Sequence, residues 1–163
     1  QGNGKRITAQ DAGGIELMID FRKKLDTVKD FVETNYHKYL EAFDVKKAPM
    51  ITCEFLDFDK FKNDFTLFID FDRISLSEDQ YEDDCIHIAR VSCDVYLVFR
   101  NAAVETLRAN MMDATSALYE MFRCERISVA HNINIDGVEF FHYVEGNKNL
   151  VSSKTPITLD IGF

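Results

Sequence analysis

Tryptophan is absent from this chain, proline occurs only twice, and no glycine stands between Ile15 and Gly137. Each absence excludes something. A chain with 46% hydrophobic residues, 14 Phe and so little proline is not of the disordered or low-complexity class. The missing glycines matter most at one place, the run "DVYLVFRNAAVETLRANMMDATSALYEMF" from 94 to 122, where a strand leads almost directly into a helix. Such junctions hold phosphates in many α/β enzymes because a glycine-rich turn lets backbone N–H groups and the helix N-terminus approach the anion. The turn here is Arg100-Asn101-Ala102, so no phosphate loop is expected.

Cations are also short, with 19 Lys and Arg against 28 acids for a net charge of −9. Without a basic stripe interleaved with aromatics, tight gripping of nucleic-acid phosphates is not expected. No apolar run approaches the roughly 20 residues that a membrane-crossing helix needs. The beginning of the chain lacks the charged-then-apolar order of a signal peptide, so a soluble, cytosolic protein with no membrane partner is expected. Cys53, Cys85, Cys93 and Cys124 contain no C-x-x-C pair, which argues for free thiols packed as small apolar residues rather than zinc or redox chemistry.

What is present is periodicity. The 163 residues suit one domain able to bury its own core. Residues 1–14, "QGNGKRITAQDAGG", carry no pattern and are expected to be a flexible arm or an expression remnant; the single domain runs from 15 to 163. From Ile15 to Phe43 the apolar residues Met18, Phe21, Leu25, Val28, Val32, Tyr36, Tyr39 and Phe43 recur at steps of three and four, predicting one amphipathic helix. Lys46 and Lys47 stand where a helix C-terminus favours cations.

"MITCEFLDF" and "DFTLFIDFD" read as two strands joined by a link of hairpin length, and "SLSEDQYEDD" at 75–84, with five acids in ten positions, as a mobile, solvated loop. Residues 87–99 alternate, with Ala89, Val91, Cys93, Val95, Leu97 and Phe99 on the core side. Asn101 is then placed to cap a second helix, whose stripe is Val104, Leu107, Met111, Ala114, Leu118 and Met121.

In "ISVAHNINIDGVEFFHYVEG" the dipeptide Asp136-Gly137 is the preferred centre of a tight type I′ hairpin. That turn would oppose Ile135 to Val138, Ile133 to Phe140, His131 to His142 and Val129 to Val144. A polar loop is expected at 145–154 and a last strand in "TPITLDIGF". The fold class is therefore α+β, in the order α-β-β-β-α-β-β-β, with two amphipathic helices packed on a mainly antiparallel sheet.

Chemistry-bearing groups are sparse. Glu54, Asp57, Asp59, Asp70 and Asp72 surround the first strand pair and could in principle hold Mg²⁺, yet the alternation makes Asp70 an ordinary solvent-facing strand position. The expected His131–His142 pair lacks a third zinc ligand on its face and reads as a packed neutral pair. No G-x-S-x-G occurs, and Ser152-Ser153 falls in the expected polar loop without a placed base. No catalytic, cofactor-binding or metal-binding residue is assigned.

The succession "HIARVSCDVYLVFRNAAVETLRANMMDATSALYEMF", then "GVEFFHYVEGNKNLVSSKTPITLDIGF", resembles the tail terminator and tail-completion proteins of long-tailed bacteriophages and prophages. The likeness lies in a long strand leading to a helix with an "ALYE"-like end, Ala117-Leu118-Tyr119-Glu120, then a hairpin and a terminal strand, with the order of elements agreeing over 15–163. It implies a non-enzymatic structural protein without a cofactor, self-associating into a hexameric ring. Such a ring caps the tail tube, stops its polymerisation, and presents a surface to head or neck proteins. Its implied location is the host cytoplasm during assembly and then the virion tail. An acidic chain is compatible with a lumen through which DNA slides. The alternatives are another binding or assembly module, or a metal-dependent hydrolase using Asp70, Asp72 and Glu54.

Overall fold

The computed structural model describes residues 20–53, 63–77, 88–127, 130–145 and 148–162. Their order is α1 (Phe21–Ala42), β1 (Met50–Thr52), β2 (Phe65–Ser77), β3 (Ile88–Arg100), α2 (Val104–Cys124), β4 (Ala130–Ile135), β5 (Glu139–Glu145) and β6 (Lys148–Gly162). The expected α-β-β-β-α-β-β-β order and α+β class hold. The first fourteen residues and most of the acidic run lie outside the described residues; of that run, 75–77 continue β2 as strand.

α1 begins where the Asp20 carboxylate accepts the N–H of Lys23 at 3.1 Å, satisfying one of the orphan donors of a helix start. Its end is a Schellman motif: Val45 N–H donates to the Leu40 carbonyl at 2.9 Å and Asp44 N–H to that of Glu41 at 3.0 Å. The residue that closes it, Asp44, has φ 58°, the left-handed position that glycine usually fills. Leu40 and Val45, the apolar pair that accompanies this motif, are both buried. No basic residue lies in the last turn of α1, so Lys46 and Lys47 do not serve its dipole.

Among the described residues the sheet has six strands in the order β1-β2-β3-β6, and then both β4 and β5 on the far side of β6. All pairs are antiparallel except β1 with β2. The expected hairpin between the first two strands is thus corrected: Met50 to Thr52 run parallel to Thr66 to Phe68. The connection from 53 to 64 has the dozen residues that a parallel return needs.

The second correction concerns Asp136-Gly137. β4 and β5 do not pair with each other; they lie end to end along one edge of β6, β4 against 157–161 and β5 against 148–154. The tight connection lies one strand later, since Glu145 opposes Lys148 and only residues 146–147 separate them. The expected polar loop at 145–154 is therefore mostly strand, and Ser152 and Ser153 are buried in it. The cause is non-local. β6 is 15 residues long, and a closed β4–β5 hairpin would cover only part of its edge. Pro156, which has no N–H to give a neighbour, sits on β6 opposite the 136–138 break, so the interruption falls where the ladder is already weakest.

The core confirms the alternation in β3: all six positions from Ala89 to Phe99 predicted to face inward are buried. β2 keeps pace only because of a bulge between Phe71 and Arg73. The extra residue, Asp72, returns Ile74 and Leu76 to the helix-facing side opposite Val91 and Ala89. Both helices cover this face. They are tied to each other by a Phe31–Phe122 ring contact at 5.6 Å and by the buried Tyr36 hydroxyl, which donates to the Ala114 carbonyl at 2.7 Å.

Candidate functional site

The strand-to-helix junction is a structural clasp. Asn101 adopts φ 64° and does not cap α2, whose N-cap position is Ala103 with no side-chain hydrogen bond. Instead the Asn101 amide donates to Asp64 Oδ1 at 2.7 Å, Lys47 Nζ donates to Asp64 Oδ2 at 3.1 Å, and Arg100 N–H donates to the Asp64 carbonyl at 2.9 Å. The Asn101 hydrogen bond and then the Lys47 ammonium hold the Asp64 carboxyl below its ordinary value. One acid thus joins the segment before β1, the start of β2 and the end of β3. An open cleft of about 520 Å³ beside it is lined by Lys47, Ala48, Met50, Asn63, Asp64 and Phe65. Because Lys47 and Asp64 neutralise each other there, the cleft presents no net charge to a ligand.

The acids weighed as a metal site are only partly brought together. Glu54, Asp57 and Asp59 lie outside the described residues. Asp70 stands directly opposite Asp94 on the sheet face away from the helices, while Asp72 is exposed in the bulge. Lys154 lies 3.8 Å from Asp94. Partial burial pushes the Asp94 carboxyl up, Lys154 opposes that shift, and Asp72, Asp70 and Glu139 add to it. Among the described residues no group of three or more His, Cys, Asp or Glu is placed to hold a metal ion.

The histidine pair does not form. His142 is exposed and opposes Val151 on β6, whereas position 131 lies on β4, which follows the same edge in line with β5. Eleven residues of extended chain separate the two, on the order of 30 Å at ~3.3 Å per residue. The cysteines divide likewise. Cys93 is packed in the core, where burial pushes its thiol up to about 12, and Cys53 is half-buried, but Cys124 is exposed beside Glu120, against the expectation that it packs as an apolar residue. Cys85 lies outside the described residues.

The surface that sequence patterning missed is the β4–β5 edge. No described strand pairs with its outer side, and Phe140 on it is 49% exposed. Phe140 opposes Ser153, and Ser153 is also where α2 touches β6, through the Thr115 hydroxyl at 3.0 Å. Met112 and Tyr119, roughly one turn before and after Thr115, are 52% and 45% exposed. Exposed apolar side chains thus occur both on β5 and on the helix that touches β6. The signal for this was the register of β5, which local sequence assigns to the wrong partner. No protein-family model matches the chain, and no curated protein matches it. Among the described residues no helix is long and apolar enough to cross a membrane.

Proposed function

We propose that this chain is a structural subunit that self-associates into a closed ring, in the manner of the phage tail terminator proteins it resembles. The ring ends the tail tube and joins it to the head or neck. The observation that carries this reading is the outer edge of β4–β5, with which no described strand pairs, and the exposed Phe140 on it. A sheet edge whose outward N–H and C=O groups meet no described strand is a template for another chain. Heterologous contacts that close by rotation yield rings.

The groups weighed for hydrolysis support that alternative poorly. Asp94, which faces Asp70, already has a cation in Lys154, and Asp72 is displaced by the bulge. The experiment supplies polymerising tail-tube protein: adding this chain should arrest elongation at a ratio of about one ring per tube end. Tube growth that continues unchanged would count against the proposal, and metal-dependent hydrolysis abolished by Asp70→Ala would transfer the assignment to the enzyme.

A further inference from the structure

Asp136-Gly137 favours a hairpin that the chain does not close, and the match between β4 and β5 that such a hairpin would use inside one chain is available between two. We infer that, away from a tube, two copies pair their β4–β5 edges antiparallel about a two-fold axis, β4 of each against β5 of the other. The pair belongs to the free chain and does not rest on the ring reading; a ring contact through the same edge would have to displace it.

Levels along β6 fix the register. Asn134 and Glu139 stand opposite Thr158 and Lys154, two residues to either side of Pro156. Ile133 and Phe140 stand opposite Leu159 and Ser153, three to either side, and Asn132 and Phe141 opposite Asp160 and Ser152, four to either side. A two-fold axis normal to the sheet at the level of Pro156 therefore sets Asn134 against Glu139, Ile133 against Phe140 and Asn132 against Phe141 of the other copy, each twice. All six residues lie within β4 (Ala130–Ile135) or β5 (Glu139–Glu145).

Faces agree as well. Ile133 neighbours the buried Leu159, and Phe140 neighbours Ser153, which meets Thr115 of α2, so both belong to the helix side. Because β4 and β5 run in the same direction against β6, residues on one face send their backbone N–H and C=O groups to the same lateral side. Opposed residues of the two copies are thus matched as an antiparallel ladder requires. Phe140, 49% exposed, meets the half-exposed Ile133, and Glu139 meets an amide rather than an acid. Moving the axis one residue along β6 toward Thr155 keeps the faces matched but brings Glu139 level with the 136–138 break and Asp136, which like charges disfavour. The opposite move parts Phe140 from Ile133. The cost of the chosen register is that the two Asp136 carboxylates come near the axis, each held by its own Asn134 amide at 3.0 Å.

The test places cysteines at the exposed positions Asn134 and Glu139 of one full-length chain, with the exposed Cys124 changed to serine. Opposite positions of an antiparallel pair come close enough for a disulfide. An equal mixture of ¹⁴N- and ¹⁵N-labelled copies is oxidised with diamide, and mass spectrometry should find position 134 linked to position 139 of the other isotope. Sedimentation of the wild-type chain should show a concentration-dependent dimer. Phe140→Lys, at an exposed position, should weaken it roughly tenfold to a hundredfold, since two half-exposed rings are covered in each pair. The two cysteines linked only within one chain would reveal the closed hairpin and overturn the pair. Mixed links only elsewhere, a dimer indifferent to Phe140→Lys, or a wild-type chain that stays monomeric at every soluble concentration would overturn it too. Tube arrest is read separately, so loss of the pair leaves the ring reading to its own experiment.

Discussion

Replacing Gly137 by alanine separates the two possible pairings of β4 and β5 by the sign of one number. In a type I′ turn centred on Asp136-Gly137 the glycine must take positive φ. A Cβ there would cost roughly 1–2 kcal/mol. In the structure Gly137 has no left-handed φ, and a Cβ built on it meets no heavy atom within 4 Å. Alanine then only narrows the unfolded ensemble, which stabilises by about 0.4–1 kcal/mol. For a chain of this size, 1 kcal/mol moves Tm by about 2–4 °C, so G137A should raise Tm by about 1–4 °C. Urea unfolding should show a higher midpoint at unchanged slope. A fall of 1 kcal/mol or more would mean that β4 and β5 fold back on each other and that the outer edge described above does not exist.

Three further substitutions test particular contacts. Asp44→Gly should stabilise by roughly 0.5–1 kcal/mol, because it relieves a left-handed aspartate at the end of α1; Asp44→Val should destabilise, and calorimetry of both variants checks the pair. Tyr36→Phe removes the buried hydroxyl bond to Ala114 and should cost about 0.5–1.5 kcal/mol by urea denaturation, whereas an unchanged midpoint would show that the bond contributes nothing. Asp94→Asn should stabilise the protein at neutral pH by roughly 0.2–1 kcal/mol, since it removes a charge that partial burial penalises and that Asp72 and Asp70 repel, at the loss of a 3.8 Å contact to Lys154. With its folded pKa raised, Asp94 binds a proton sooner in the folded than in the unfolded chain. Wild-type stability therefore recovers as pH falls through the folded pKa toward the unfolded one, and the advantage of D94N should shrink over that interval; an advantage independent of pH would refute the cause given.

Much of the fold was legible because it is local. The period-two run from Ala89 to Phe99 and the stripes through Val28, Val32 and Tyr36 and through Leu107, Met111 and Leu118 each fix a face without reference to the rest of the chain. Pairing partners are not local. Nothing within "MITCEFLDF" says that β1 runs parallel to β2. The turn preference of Asp136-Gly137, worth little by itself, yields to a long β6 that needs its whole edge covered and carries Pro156 at the gap. Asn101 illustrates the same limit, because its carboxylate partner, Asp64, lies 37 residues earlier and draws it from the cap into a left-handed turn. The exposed surface at Phe140 was hidden for that reason too: an alternating strand announces an apolar face but not whether a helix reaches far enough to cover it.

The most direct measurement is an end-on electron-microscope image of tail tubes incubated with the purified chain. The account predicts one closed ring with rotational symmetry at a single end of each tube, sixfold if the tail-terminator resemblance holds. Uniform decoration along the tube, or tubes left bare, would contradict it.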